Sequence, residues 1–401
     1  MNGLADLIAW VIAQGLVADD IDALLEELAL RLTEEGFPLL RASIGMPSID
    51  PKRRGLSVTW CRDTGISREA QKHGDEGEAL FRRSPIFYLL QNQLEYMRWS
   101  LPADADTPPF PVLTDLSDLG ATDFVIKITP FPGNTALAGA SFSVATDQPG
   151  GFSESQLAGF EGVMPALSLA CLRIALTRVA KDVLAVYTGD RTSELILNGQ
   201  IQRGEGASIY AAILLADLKS FTSLNEKHEP HLIVNWLNEH FDEIGQPVVE
   251  EGGEILKFMG DSLLAIFPVQ GADTAKACRV AMSAAQRAIA TNDALNLSRR
   301  ERGEPEILVD IVLHLGEIFY GNVGTDRRLD FTVIGRAVNE ASRIEKLADT
   351  LESNLLASAP FAAQTDGAFR LAGYFKLRGV EEQAEIYTWT GAFDRPIHSD
   401  S

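Results

Sequence analysis

The sequence predicts an α+β protein of two domains, the second built on a βαββαβ order of elements. Two apolar runs carry this prediction: ILLADLKSFTSL at 213–224 and LKFMGDSLLAIF at 256–267. Each is typical of a strand buried on both faces, and each leads into an aspartate, Asp217 or Asp261. A length of 401 residues is enough for two domains that each bury their own core.

The C-terminal half alternates between strand and helix patterns from Ser208 onwards. We expect a sheet of antiparallel strands with helices on one side, and a Gly-rich loop containing Gly321 and Gly324. The predicted segments are a strand ending at Asp217, a helix carrying Leu232 to Ile244, a hairpin with an MGD turn, an Ala-rich helix at about 272–296, strands at 307–316 and 329–335, and a helix at 337–347.

The N-terminal half shows a different order: a helix, several strands, a loop, paired strands and a long helix. Leucines at spacings of three and four predict the first helix, which Gly36 would end. Ser153 and Gln156 form a capping box at the start of the long helix. The other predicted segments are strands at 39–45, 56–61, 122–131 and 136–146, a polar loop at 62–78, and a short helix after Ser84-Pro85.

The long helix presents an apolar seam made of Leu157, Phe160, Met164, Leu167, Cys171 and Ile174. This seam is equally consistent with a helix that covers the N-terminal sheet and with a helix that forms a dimer. The two roles are compatible if they use different faces of the helix. Residues 182–204 then predict a helical connector. We place domains at 1–181 and 205–395 on either side of it.

Composition excludes several classes of function. A formal net charge of −21 argues against non-specific binding to nucleic acid and against docking on an anionic membrane. Three widely spaced cysteines predict reduced thiols in a cytoplasmic protein. The first twenty residues lack the basic start of a signal peptide, and the most apolar window, 163–176, is too short to span a bilayer.

The two aspartates suggest metal chemistry only as a pair. Either one alone is more simply a strand-end cap. Brought together, Asp217 and Asp261 would repel each other unless a divalent cation lay between them. Hard oxygen ligands suit Mg²⁺ or Mn²⁺, and two such ions can hold both the attacking and the leaving oxygen of a phosphoryl transfer.

The motifs around this pair resemble those of class III nucleotidyl cyclases. The runs ADLKSFT, KFMGD and RLDFTVIGRAVNEASRIE carry the resemblance, which covers roughly 205–390. It implies a ferredoxin-like core and a head-to-tail homodimer that cyclises a nucleoside triphosphate with two Mg²⁺ or Mn²⁺ ions per site. The N-terminal half resembles a GAF or PAS sensor domain in its order of elements. That implies a small-molecule ligand, which the sequence does not name.

The resemblance assigns roles to individual residues. Asp217 and Asp261 stand where the family has its metal-binding aspartates, and Leu218 where a backbone carbonyl helps to bind a metal. Asn339 and Arg343 match the transition-state asparagine and arginine of V-N-x-A-x-R. These two are four residues apart on a helix, so they project from one face.

The residues expected to read the base indicate adenine. Lys257 matches the purine-reading lysine of the family, and Thr332 matches its partner. An ammonium group can donate to N1 of adenine, whereas guanine presents a donor there; guanylate cyclases of this family usually carry Glu and Cys instead. The other implied substrate residues are Arg378 for the triphosphate, with Lys376 as the alternative, and Phe221 and Thr222 of the F-T pair.

The sequence thus favours a cytoplasmic adenylate cyclase that converts ATP to cyclic AMP and pyrophosphate under control of its N-terminal domain. A guanylate cyclase is one alternative, disfavoured by Lys257 and Thr332. A catalytically inactive cyclase fold that senses nucleotides is another, disfavoured because the metal aspartates and the Asn/Arg pair are all present. No residue identifies a bicarbonate response.

Overall fold

The computed structural model describes residues 2–50, 53–72, 74–103, 108, 110–131, 139–219, 221–380 and 382–391. The chain divides into two compact units, Met1–Val183 and Leu184–Ser401, and each is described by itself.

The first unit is a six-stranded sheet with helices on both faces. Its helices are α1 (Asn2–Val17), α2 (Ile21–Glu34), α3 (Asp75–Arg82), α4 (Pro85–Gln91), α5 (Pro111–Asp118) and α6 (Glu154–Thr188). Its strands are β1 (Arg41–Asp50), β2 (Arg53–Cys61), β3 (Gly65–Lys72), β4 (Tyr96–Ser100), β5 (Asp123–Pro130) and β6 (Gly139–Thr146). They lie in the order β3-β2-β1-β6-β5-β4, and neighbouring strands are antiparallel.

Side chains along the central strands point alternately to the two faces of this sheet, and a hydrophobic core lies on each face. On β5, Val125 joins the core under α1, α2 and α6, while Phe124 and Ile126 join the core under α4 and α5. The predicted capping box is confirmed: the Ser153 N–H donates to Oε1 of Gln156 at 2.8 Å, and the Gln156 N–H donates to Oγ of Ser153 at 3.3 Å. The GAF- or PAS-like interpretation of this unit remains a prediction.

The loop expected at 62–78 is wrong, because this segment contains β3 and the start of α3. The chain turns tightly from β2 into β3, with Gly65 at a φ of +71°. β3 is an edge strand with one neighbour, its side chains at Ser67, Arg68 and Glu69 are exposed, and its sequence is polar. An apolar pattern therefore could not reveal it.

All six residues of the predicted seam on α6 are buried in the core of the first unit. The helix around the apolar window is 35 residues long, so length and composition alone would let it cross a membrane. The expectation that this segment is too short to do so is wrong. Its buried face nevertheless belongs to a protein core, as expected for a helix that covers a sheet.

The second unit carries an eight-stranded sheet and confirms the βαββαβ order in β7-α9-β8-β9-α10-β10. Its helices are α7 (Asp190–Leu197), α8 (Phe221–Asn225), α9 (Pro230–Glu250), α10 (Thr274–Glu301), α11 (Arg336–Glu345) and α12 (Ala359–Ala362). Its strands are β7 (Gly206–Leu218), β8 (Glu254–Met259), β9 (Ser262–Pro268), β10 (Val309–Thr325), β11 (Arg328–Ile334), β12 (Leu355–Ser358), β13 (Phe369–Phe375) and β14 (Ala384–Trp389).

The strands run β13-β14-β12-β10-β7-β9-β8, and β11 pairs with the far end of β10. Two expectations need correction here. β10 and β12 are parallel, so the sheet is mixed. Helices cover both faces, since α9 and α10 pack on the face that contains Leu214, and α11 packs on the face that contains Ile213.

The predicted Gly-rich loop is also wrong, because Gly321 and Gly324 continue β10 into its hairpin with β11. A Cβ at Gly321 would lie 2.3 Å from the carbonyl oxygen of Glu205 and 2.6 Å from Cα of Gly206. Gly321 therefore allows the start of β7 and the end of β10 to approach closely, as glycine in a strand often does.

The segment predicted as a connector, 182–204, contains the end of α6 and the whole of α7. Gly189 separates the two helices with a φ of +86°, a conformation that favours glycine. α7 then leads through a turn into β7, an inner strand of the second unit.

One buried ion pair anchors β4 and β5 of the first unit. Nε of Arg98 donates to both oxygens of Asp123, at 3.2 and 3.0 Å, and the carboxyl is 1% exposed. The N–H of Phe152 also donates to Asp123, at 2.8 Å, and thereby fixes the chain just before α6.

We expect Asp123→Ala to destabilise the first unit by about 1–3 kcal/mol, because the buried N–H of Phe152 loses its acceptor and Arg98 loses its ion-pair partner. The control is Asp147→Ala, which removes the exposed pair with Arg62 and should cost about 1 kcal/mol or less. Urea-dependent hydrogen exchange of β5 in the full chain measures the difference. Equal losses in the two variants would contradict the anchoring role.

Candidate active site

The two aspartates singled out in the sequence lie side by side in the structure. Asp217 is next to last in β7 and faces Ser262 across the pairing of β7 with β9. Asp261 lies in the β8–β9 turn, where Gly260 has a φ of +69°. The Leu218 N–H donates to the backbone oxygen of Asp261 at 3.2 Å, which ties the turn to the end of β7.

Burial and mutual repulsion raise the proton affinity of this site. Burial, together with the charge of Asp261, raises the pKa of Asp217, and a hydrogen bond donated by Oγ of Ser262 opposes the rise. Burial and the carboxylates of Asp217 and Asp310 raise the pKa of Glu345, at the end of α11, to about 7. This region therefore carries a concentrated negative potential that favours a cation.

The donor set at Asp217 and Asp261 fits a metal that is shared with a substrate. Among the described residues no group of three or more His, Cys, Asp or Glu side chains could hold an ion by itself. Mg²⁺ is commonly bound by one or two carboxylates together with waters and substrate phosphates. Two carboxylates beside the backbone of Leu218 match that pattern, so Mg²⁺ or Mn²⁺ fits together with a triphosphate.

The two residues expected to read the base lie on different strands, β8 and β11. Nζ of Lys257 donates to Oδ2 of Asp330, which links the strands. Asp330 and Thr332 are two residues apart on β11 and so share one face, and Thr332 lies opposite Gly321. Asp330 was not among the residues predicted for the site, although the two-residue period of the LDFT run indicates that it shares a face with Thr332.

Lys257 and Asp330 also line an open cavity of about 1240 Å³. Its wall includes the apolar side chains of Ile209 and Phe331, and Gly189–Arg191 at the start of α7. An aromatic and aliphatic wall with a few charged groups is typical of a small-molecule site.

The expected transition-state residues project from the outer side of α11. Ala337, Ala341 and Ile344 form its buried face. Asn339 is exposed and Arg343 half-buried, and in the described part of the chain neither side chain has a hydrogen-bond or ion-pair partner. Both are thus available to a ligand.

The guanidinium of Arg343 lies beside the loop between β13 and β14. A Cβ placed on Gly379 would be 3.6 Å from Nη2 of Arg343, so the neighbouring Arg378 belongs to the same region. Lys376 and Arg378 are exposed, and no described carboxylate forms an ion pair with them or with Arg343. Unpaired cations in a chain of net charge −21 suit an anionic ligand.

The structure says little about the expected substrate contacts of Phe221 and Thr222. The side chain of Phe221 is 7% exposed and packs in the core beneath α9 and α10, so only its backbone could reach a substrate. The side chain of Thr222 lies outside the described residues. Both assignments therefore stay predictions.

The structure thus forms three groups: the aspartate pair, the base-reading strands, and α11 with Arg378. In the described part of the chain, no hydrogen bond or ion pair joins the aspartates to Lys257, Thr332, Asn339 or Arg343.

Comparison with known proteins relates the second unit to a family of nucleotide cyclases. Residues 207–390 match the family described as the adenylate and guanylate cyclase catalytic domain. Adenylate cyclase 1 of Rhizobium meliloti is 33% identical over 233 residues, which cover 56% of this chain and 34% of that protein. An adenylate cyclase of Anabaena cylindrica is 36% identical, over 47% of this chain and 38% of that protein.

The chain therefore spans little more than a third of the length of these two curated relatives. Among solved structures, the adenylyl cyclase CyaB from P. aeruginosa is 26% identical with a TM-score of 0.43, covering 47% of this chain and 98% of that one. A bacterial light-regulated adenylyl cyclase is 20% identical with a TM-score of 0.47, covering 63% and 82%. By its family match and its relatives, this chain contains a class III adenylate/guanylate cyclase catalytic domain at residues 207–390.

Proposed function

We propose that this chain is an adenylate cyclase that converts ATP to 3′,5′-cyclic AMP and pyrophosphate at the interface of a homodimer. The observation that carries the proposal is the placement of Asp217 beside Asp261 within a cyclase catalytic domain. The relatives named adenylate cyclase support ATP as the substrate.

In this reaction the ribose 3′-oxygen forms a bond to the α-phosphorus, the hydroxyl proton is lost, and the bond to the pyrophosphate oxygen breaks. Two Mg²⁺ or Mn²⁺ ions held by Asp217 and Asp261 would supply acidification of the hydroxyl and neutralisation of the phosphates. Arg343 would fork onto the α-phosphate oxygens as negative charge builds there, and Asn339 would orient the ribose. Arg378 or Lys376 would bind the outer phosphates.

The base would lie between β8 and β11. The Lys257 ammonium would donate to N1 of adenine, and the hydroxyl of Thr332 would accept from the 6-amino group. Asp330 holds the ammonium on the side of β11, so Lys257 is oriented before the base arrives. Guanine presents N1–H to that ammonium, and two donors that face each other leave both unpaired.

A dimer would complete the site. In the described part of its own chain, the aspartate pair forms no hydrogen bond or ion pair with the side chains of Lys257, Thr332, Asn339 or Arg343. Apolar side chains are exposed beside Lys257 and Thr332: Phe258 is 51%, Met259 43% and Ile334 49% exposed. Exposed apolar side chains grouped at a charged site suit a surface that a second copy covers.

Regulation by the N-terminal unit through the connector, and a cytoplasmic location, are part of the same proposal. Composition and the order of elements support them. The N-terminal unit would bind a small molecule whose identity its residues do not specify.

The first test removes one charge at a time from the aspartate pair. Asp217→Asn and Asp261→Asn should each lower kcat by about 10²–10³-fold or more, since each removes charge that the transition state needs. Mn²⁺ should raise the melting temperature of wild type but not of either variant. Asp242→Asn, on the exposed side of α9, is the matched control and should match wild type in both measurements. Turnover equal to wild type in either site variant would contradict the metal assignment.

The second test exchanges the base readers. Lys257→Glu with Thr332→Cys should lower the ratio of kcat/KM for ATP to that for GTP by about 10²-fold or more. Asp330→Asn is added because two carboxylates would otherwise face each other. Lys276→Glu, an exposed lysine in the first turn of α10, controls for the change of charge. An unchanged ATP preference in the triple variant would show that these residues do not read the base.

The third test asks whether the site is shared between chains. Asp217→Asn and Asn339→Ala are each expected to be inactive. In a mixed dimer, one composite site carries both changes and the other carries neither. Mixing with random exchange should restore activity to about a quarter of wild type, because half of the dimers are mixed and each has one intact site. Demonstrated exchange without recovered activity would rule out the composite site.

A further inference from the structure

A buried tyrosine in the catalytic unit is hydrogen-bonded to two partners from different elements. Tyr320, on β10, is 3% exposed, and its hydroxyl donates to Oε1 of Glu254 at 2.6 Å. The same hydroxyl lies 2.6 Å from Oγ1 of Thr192, which is 1% exposed. Because a phenol has one proton, it donates to the carboxylate and accepts from the threonine.

The carboxylate of Glu254 also caps the start of α7. Gly189 precedes this helix and offers no side chain to accept from the first free N–H groups. The backbone N–H of Thr192 donates to Glu254 instead. The guanidinium of Arg191 lies 5.6 Å from the centre of the Tyr320 ring. Tyr320 and Glu254 thus hold the first turn of α7 through several contacts.

The same two residues contact both strands that carry the base readers. Glu254 is the first residue of β8, three residues before Lys257, and an irregularity in the β8–β9 pairing lies between Ile255 and Lys257. The Tyr320 ring packs edge-on against Phe331, with centroids 4.8 Å apart. Phe331 lies between Asp330 and Thr332 on β11.

The open cavity beside Lys257 is lined by residues of this same region. Gly189–Arg191, Glu254 and Phe331 line it together with Lys257 and Asp330. The beginning of α7 is therefore a wall of the cavity that Lys257 lines, and a shift of this turn would change the surroundings of Lys257 directly.

We propose that Thr192, Tyr320 and Glu254 form a positioning cluster through which α7 sets the placement of Lys257 and Thr332, and with it the affinity for the purine base. The proposal rests on the proposed cyclase function. Buried hydrogen bonds to a carboxylate are well suited to this role, since loss of one donor leaves the acceptor desolvated and unpaired. The strand that begins at Glu254 would then relax, while the aspartate pair on β7 and the β8–β9 turn keeps its own support.

Kinetics of the full chain test this proposal. Tyr320→Phe removes the hydroxyl and keeps the ring, and Thr192→Val removes only the third member of the cluster. Each should raise KM for ATP about three- to tenfold and lower the preference for ATP over GTP, with kcat within about twofold of wild type. Tyr387→Phe is the matched control, because it removes a hydroxyl that donates to Glu385 at 3.0 Å on β14. It should change neither KM nor base preference.

The double variant tests whether the residues act as one unit. Because both changes break the same link, Tyr320→Phe with Thr192→Val should be no worse than the more affected single variant. Effects that add fully, or an unchanged KM and base preference in both single variants, would overturn the proposal. If Tyr320→Phe does not fold, Thr192→Val alone decides the result.

Hydrogen exchange gives a readout that does not require turnover. Peptides from β8 and β11 should exchange about threefold or more faster in Tyr320→Phe and Thr192→Val than in wild type or Tyr387→Phe. If wild type makes no cyclic nucleotide, the proposed function fails and exchange alone decides on the cluster. Exchange in β8 and β11 equal to the control would overturn the link to α7 whatever the activity.

Discussion

The second unit depends on the fixed register of β7. This strand is hydrogen-bonded along both edges, to β10 and to β9, and its residues from Ala211 to Ala216 are buried on both faces. A slip of one residue would exchange the two faces, so the apolar packing fixes the register strongly. That register places Asp217 opposite Ser262 and brings Leu218 to the Asp261 turn. The packing of the strand thereby holds two carboxylates close together, and burial, with a further contribution from the charge of Asp261, raises the pKa of Asp217.

The features that the sequence predicted correctly depend on local patterns. The βαββαβ order follows from the periods of apolar residues, and the capping box at Ser153 and Gln156 is a contact between residues three apart. The closeness of Asp217 and Asp261 also follows, because each stands at the end of an apolar run that had to lie in the same core. The positions of Asn339 and Arg343 on one side of α11 follow from helical geometry.

The features that the sequence did not reveal depend on contacts between distant segments. β3 is polar because it is an edge strand, and Gly321 is a glycine because Glu205 and Gly206 pass close to it. The contact between Lys257 and Asp330 joins residues 73 positions apart, and the one between Thr192 and Tyr320 joins residues 128 apart. No period or spacing in a single sequence encodes such pairs. Placement of helices on both faces of the second sheet likewise depends on how β7 is buried.

The location of the proposed base readers has a consequence for the evolution of nucleotide preference. The side chains of Lys257 and of its ion-pair partner Asp330 are 40% and 54% exposed, and Thr332 is half-buried; they lie on an edge strand and on a hairpin arm rather than on β7. Substitutions at such positions usually change the free energy of unfolding by about 0.5 kcal/mol or less. The aspartate pair, by contrast, is built into an inner strand and its neighbouring turn. Under the proposed function, nucleotide preference would therefore drift between lineages at little risk to folding, while the phosphoryl-transfer chemistry would be inherited with the sheet itself.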